Sequence, residues 1–207
     1  MADFDGDYGK SGAEAPRSFN SQYRMHRDVA EMKNQYRDAD CMFDSLTALP
    51  SFDLFEDRLQ TAINGEISKD LRLKRAKIAV VGLFLDNLSM FDEREVRRML
   101  LRKTGEKLAA ALPENYTVAR GINYHFWVMM PNMPGDKEIA LEVQKIQSVV
   151  LQPIVADFAE YRLLCSIGAS VFNGGGMTAK QLVEEAIMAL QKAQSDGENN
   201  IEFFASN

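Results

Sequence analysis

The sequence is poor in the residue types that active-site chemistry most often recruits. Only two cysteines, Cys41 and Cys165, occur among 207 residues. That is too few for a disulfide framework, so both are expected as free, buried thiols. The two histidines, His26 and His125, stand far apart with no ligand set beside either, which argues against a zinc centre. No apolar run approaches the ~18 residues that a membrane span needs. The N-terminal stretch MADFDGDYGKSGAEAP lacks a basic start leading into an apolar segment, so no signal peptide is expected. These absences imply a soluble, cytoplasmic protein without membrane insertion. Positive charge is also short: a net charge of −6 leaves no surface for general nucleic-acid binding. The one basic cluster, Arg72, Lys74, Arg75 and Lys77, reads as a solvated approach to a buried strand.

What is present is a 46% hydrophobic content, enough for one domain with a substantial core plus a tail. Residues 1–18, rich in Gly, Asp and Ser, are expected to be disordered. Over 19–43 the pattern turns helical: Met25, Val29, Met32, Tyr36, Ala39 and Phe43 alternate at spacings of four and three, an apolar stripe on a charged helix. About three heptads is the minimum for a coiled coil, so the stripe either pairs two protomers into a homodimer or folds back on its own domain. From 44 onwards helices and strands interleave. Ser51 is placed to cap a helix running to about Ile67, with Leu54, Phe55, Leu59, Ile63 and Ile67 facing inward. The continuous apolar run Ile78–Leu85 suits a central strand covered on both faces. A helix is expected over Asp92–Leu112, a strand–turn–strand over Thr117–Met130, and a helix over Asp136–Leu151 stopped by Pro153. A strand over Arg162–Phe172 follows. Thr178 and Gln181 form a capping box for the next helix, and Ile201–Phe204 make a last strand. This alternation implies an α/β (α+β) domain with helices packed on a central sheet.

Several segments together resemble the GGDEF, or diguanylate cyclase, family. Asp44–Pro50 (DSLTALP) is similar to its opening signature, Asp-x-Leu-Thr-Gly-Leu-Pro. Ala119-Arg120 precedes the hairpin turn as the family's Ala-Arg does, Ser166–Ser170 (SIGAS) matches its late strand, and AIMALQKAQSDGENNIEFF resembles its closing helix and strand. The resemblance covers roughly Asp44–Phe204. It implies a nucleotide-cyclase-like mixed sheet of about five strands surrounded by helices, here with an N-terminal helical extension, over a domain of residues 44–207.

Members of that family condense two GTP molecules into cyclic di-GMP with two divalent metals, which calls for carboxylates around the cations and cationic side chains on the triphosphate. Placed on this chain, the first metal-binding aspartate falls at Phe84, with Asp86 two residues on. The signature turn reads Ile122-Asn123-Tyr124-His125, with side chains where glycines allow close backbone approach and no acid at either acidic position. The phosphate-holding lysine after the first strand becomes Ser89. In the last helix the lysine becomes Gln194 and the arginine becomes Glu198, whose charge repels a triphosphate. The guanine-reading asparagine falls near Asp92 and its acidic partner near Arg98. The resemblance therefore implies a degenerate domain that is not an enzyme, without metal or cofactor.

The family's inhibitory Arg-x-x-Asp aligns with Pro113–Tyr116, where both charged residues are missing; Arg37-x-x-Asp40 lies elsewhere in the chain. Three readings follow. The first is a catalytically inactive protein of cyclic di-GMP signalling that regulates or scaffolds a signalling or polar/motility-type partner. It would act through the Met25, Val29, Met32 and Tyr36 stripe and a former active-site rim of Phe84, Ile122, Tyr124 and Trp127, unless those rim residues simply fill the cleft. The alternative is a cyclic di-GMP receptor with a non-standard site, for which Arg72 and Lys145 are the candidate contacts. The third is a non-catalytic GTP sensor.

Overall fold

Strand β1, Lys77–Leu85, forms the spine of the fold because its sequence KIAVVGLFL offers apolar side chains to both sides of a sheet. The computed structural model describes residues 42–68, 76–172, 174 and 176–205. The tail over 1–18, the stripe residues Met25, Val29, Met32 and Tyr36, Cys41 and Arg72 lie outside the described residues. The remaining elements are α1 (Phe52–Ile67), a 3-10 turn (Leu88–Met90), α2 (Arg94–Ala111), β2 (Thr117–Arg120), β3 (His125–Met133), α3 (Asp136–Leu151), β4 (Ile154–Ala156), β5 (Ala159–Tyr161), β6 (Cys165–Phe172), α4 (Ala179–Ser195) and β7 (Ile201–Phe203).

A five-stranded sheet runs in the order β2-β3-β1-β6-β7. It is mixed: β1 pairs antiparallel with both β3 and β6, whereas β6 and β7 run parallel. Register divides the side chains cleanly between two faces. Ala79, Val81, Leu83 and Leu85 join Phe126, Val128 and Met130 of β3 and the buried residues of α2 and α3 in one core cluster. The opposite face carries the cross-strand rows Gly82–Trp127–Gly168 and Phe84–His125–Ser166, packed by α1 and α4.

Two glycines set how closely that second face packs. A Cβ on Gly168 would lie 2.0 Å from the Leu190 backbone nitrogen and 2.3 Å from the Ala186 carbonyl oxygen, so α4 rests its backbone directly on β6. Gly82 leaves room for the Trp127 indole, 3.0 Å from where its Cβ would sit. The indole then packs on Phe52 and Phe55 of α1, ring centroids 5.4 and 6.1 Å away.

Local chemistry explains the element ends. The Ser51 hydroxyl accepts from Leu54 N–H at 3.3 Å and caps α1. Thr178 and Gln181 complete the reciprocal capping box on α4. Lys107 donates to the Gln152 carbonyl at 2.5 Å, placing a cation at the C-terminal end of α3.

Three expectations are corrected, and one hairpin is added. Ile67, placed inward by periodicity, is exposed at the last position of α1, where the stripe has already run past the sheet edge. Phe43, the last member of the proposed N-terminal stripe, is not helical: it makes an extended bridge with Pro50 and is exposed. Trp127, one of the candidate rim residues, is fully buried: its indole sits over Gly82 and packs on Phe52 and Phe55 of α1, so at this position the side chain fills space as the alternative reading had it. The β4–β5 hairpin was not foreseen, and its turn residues Asp157 and Phe158 both have positive φ without a glycine to signal it.

Candidate functional site

The C-terminal end of β1 and the β2–β3 turn form the candidate site. Cross-strand pairing brings Phe84 opposite His125 and Ser166. The half-buried Phe84 ring lies 4.8 Å from the His125 ring and 6.0 Å from that of Tyr124, a small aromatic cluster across the strand end. The Tyr124 carbonyl accepts from Leu85 N–H at 3.2 Å, tying the turn to the same strand. Ile122 is half-buried and Asn123 exposed. Asn123 takes φ 48, a left-handed value that asparagine tolerates better than most residues.

The turn is held from inside by Arg120, a residue whose sequence gave no sign of burial. Its side chain is nearly buried. Nη1 donates to the carbonyls of Gly121 at 2.7 Å and His125 at 2.6 Å, and Nη2 donates to that of Asn123. The guanidinium also sits 5.1 Å from the Phe126 ring centroid. Its backbone N–H bonds Pro50 O at 2.9 Å, so the opening Asp44–Pro50 segment and the hairpin brace each other. Asp44 shapes that segment by accepting from Thr47 N–H at 2.8 Å and Thr47 Oγ1 at 2.6 Å. Gly121 keeps a structural task, since a Cβ there would meet His125 Cβ and Trp127 Nε1 at 2.8 Å each.

Asp86 is the carboxylate nearest the strand end. Its Oδ2 accepts from Ser166 Oγ at 2.8 Å and from Asn199 N–H at 2.9 Å, linking β1, β6 and the α4–β7 loop. Asn199, at φ 63, extends the network through Gln147, which donates to its carbonyl at 3.0 Å and to Cys165 O at 3.1 Å. Burial, and after it the Asp86 charge, push the Cys165 thiol well above its ordinary value, so it is an inert buried thiol. Among the described residues, no group of three or more His, Cys, Asp or Glu side chains converges to hold a metal.

Ser89 is exposed in the 3-10 turn, and Gln194 and Glu198 are exposed at and beyond the end of α4. Arg98 lines a hollow of about 170 Å³ with Leu46, Glu95, Met99 and Arg102; Asp92 is exposed just before α2, and its carbonyl accepts from Arg97 at 2.9 Å. Lys145, exposed on α3, pairs with Glu142 at 3.5 Å. Pro113, Asn115 and Tyr116 border a separate cavity of about 380 Å³ at the start of α3.

Comparison with known proteins agrees with this architecture. The chain is 28% identical over 168 residues to the bifunctional diguanylate cyclase/cyclic di-GMP phosphodiesterase MucR of Pseudomonas aeruginosa, a match covering 80% of this chain and 24% of that protein. It is 26% identical over 169 residues to the cyclic di-GMP phosphodiesterase NbdA of the same organism, covering 79% of this chain and 20% of that protein. The chain thus spans about a quarter or less of the length of these curated relatives. Among solved structures it superposes on the GGDEF domain of TpbB (YfiN) from P. aeruginosa with a TM-score of 0.71 at 22% identity, covering 79% of this chain and 94% of that one. It matches the GGDEF domain of DgcB from Caulobacter crescentus, solved in complex with c-di-GMP, with a TM-score of 0.71 at 18% identity, covering 81% and 95%. Residues 41–200 match the family described as diguanylate cyclase, GGDEF domain, and the chain belongs to that family.

Proposed function

We propose that this GGDEF domain is catalytically silent and serves cyclic di-GMP signalling as a regulatory or scaffolding module that binds another protein. One observation carries the reading: an aromatic ring, Phe84, occupies the strand end where the family's chemistry calls for a metal-binding carboxylate, and it packs against His125 and Tyr124. Two hard divalent cations need several oxygen ligands. The acid beside the site, Asp86, is engaged by Ser166 and Asn199. Glu198 puts negative charge where a triphosphate would need positive charge. The donor set does not fit the metals and nucleotide of the reaction, so no catalytic step is assigned to these residues.

The receptor reading has less support. Arg72 lies outside the described residues, and the cavity lined by Glu142, the partner of Lys145, has Glu138 and no lysine or arginine among its other described lining residues. A GTP sensor would need the same phosphate cations as the enzyme. Calorimetry with GTP and magnesium tests the proposal: affinity weaker than millimolar is expected, and tighter binding would remove its basis. Deleting residues 1–43 is expected to abolish or redirect partner capture in pull-downs while the domain still folds. Unchanged capture and localisation would count against a role for the Met25–Tyr36 stripe.

A further inference from the structure

We infer that the cavity at the N-terminal end of α3 is a docking site for a cationic side chain, arginine or lysine, presented by an apolar-flanked segment of another protein. The inference rests on the interaction-module reading and names a surface for it. The cavity, about 380 Å³, is walled by Tyr116, Pro131, Pro134 and Leu141, with Glu138 and Glu142 among its lining residues. The Glu138 carboxylate lies over the N-cap residue Gly135, and the Glu142 charge acts on the Tyr116 phenol. Its volume lies near the lower end of small-ligand cavities, room for one or two long side chains. Leu141 is 64% exposed on a helix whose Ile139, Val143 and Ile146 are fully buried, so it contributes little to folding from where it stands. Glu138 and Glu142 outweigh the positive end of α3, which by itself would attract an anion, and Pro131 and Pro134 add no backbone N–H of their own.

An arginine or lysine suits this chemistry because its methylene stem can lie on Tyr116 and Leu141 while its charged head reaches the acids. Burial, with the Glu142 charge behind it, raises the Tyr116 phenol above its ordinary value, consistent with a negative field in the hollow. Lys145 is the cation now paired with Glu142, at 3.5 Å and half-exposed, a contact weak enough for an incoming guanidinium to displace. The same hollow is bordered by Pro113 and Tyr116, the ends of the segment aligned with the family's inhibitory arginine motif. Its charge is opposite to what a cyclic dinucleotide's phosphates require.

The test is an NMR titration of the isotope-labelled full chain with two matched peptides, acetyl-Leu-Arg-Leu-Arg-amide and acetyl-Leu-Glu-Leu-Glu-amide, and with cyclic di-GMP. The arginine peptide is expected to shift the amides of Tyr116, Asn132 and Leu141 saturably. The Glu138→Gln/Glu142→Gln double variant is expected to weaken it roughly threefold or more, the scale of losing two exposed ion pairs. Leu141→Gln, a surface change that leaves the core intact, should weaken it as well. The glutamate peptide should leave these resonances in place. Scattered shifts, equal response to both peptides, indifference to the variants, or preferential response to cyclic di-GMP would each overturn the inference. Failure here with GTP turnover still absent would leave the silent-module reading standing and this surface excluded. Observed turnover would overturn that reading without altering the peptide result.

Discussion

Replacing Arg120 by alanine should damage stability far more than its turn-flanking position suggests. In the native protein its guanidinium serves three carbonyls of the β2–β3 turn, those of Gly121, Asn123 and His125. Asn123 is exposed, so water can replace the donor at its carbonyl, leaving two contacts to count. Hydrogen bonds to charged groups are each worth about 1.5–3 kcal/mol. Against their sum stands the relief of burying a cation, which recovers part of the loss. A net destabilisation of about 2–4 kcal/mol remains, equivalent to roughly 4–16 °C in Tm for a domain of this size. Urea denaturation followed by the fluorescence of Trp127, the single tryptophan and fully buried against α1, reads this directly. Arg120→Lys keeps the charge but not the planar fork, so an intermediate loss is expected. An alanine variant within about 1 kcal/mol of the parent would refute the reasoning that the turn hangs on this residue.

Gly168→Ala places a methyl group 2.0 Å from the Leu190 backbone nitrogen, where rigid helix backbone cannot yield. A loss of about 3 kcal/mol or more by urea denaturation is expected, and a near-neutral result would mean that α4 can lift from β6. Asp86→Ala removes the acceptor shared by Ser166 Oγ and Asn199 N–H and should cost about 2–3 kcal/mol; a loss below about 0.5 kcal/mol would show that the network does not hold the strand end. Glu185 lines a cavity with Met177, Met188 and Phe204, and burial raises its carboxyl above 4.5. The raised value favours the protonated acid in the folded state, so this contribution is fully present below pH 4.5 and is lost as pH rises through the folded value. Glu185→Gln is therefore expected to raise Tm at pH 7 and to leave it unchanged at pH 4, and the opposite pattern in melts at the two pH values would refute the assignment.

Much of the fold was legible in the sequence because its punctuation is chemical. The bounds of α3 follow from Asp136 and Pro153, the start of α4 from the Thr178–Gln181 capping box, and β1 from an apolar run too short for a helix and lacking polar alternation. Of the aligned positions, the pairing of Phe84 with His125 follows from the strand–turn–strand pattern; how Ser89, Asp92, Arg98, Gln194 and Glu198 stand relative to that pair does not follow from their neighbouring segments. What escaped depends on third partners. Nothing local to Arg120 shows that three carbonyls will converge on it, and nothing local to Asp86 shows that Ser166 and Asn199 will claim its oxygen. The face taken by Trp127 depends on Gly82 opposite and α1 above, which periodicity in β3 alone leaves undetermined. Strands β4 and β5, three residues each, are too short to carry a period.

The measurement that bears most directly on the account is turnover. The purified 207-residue chain incubated with GTP and magnesium or manganese, followed by chromatography for the linear dinucleotide intermediate and cyclic di-GMP, should yield neither above the protein-free blank. Product accumulating in proportion to protein concentration, and lost on heat inactivation, would contradict it.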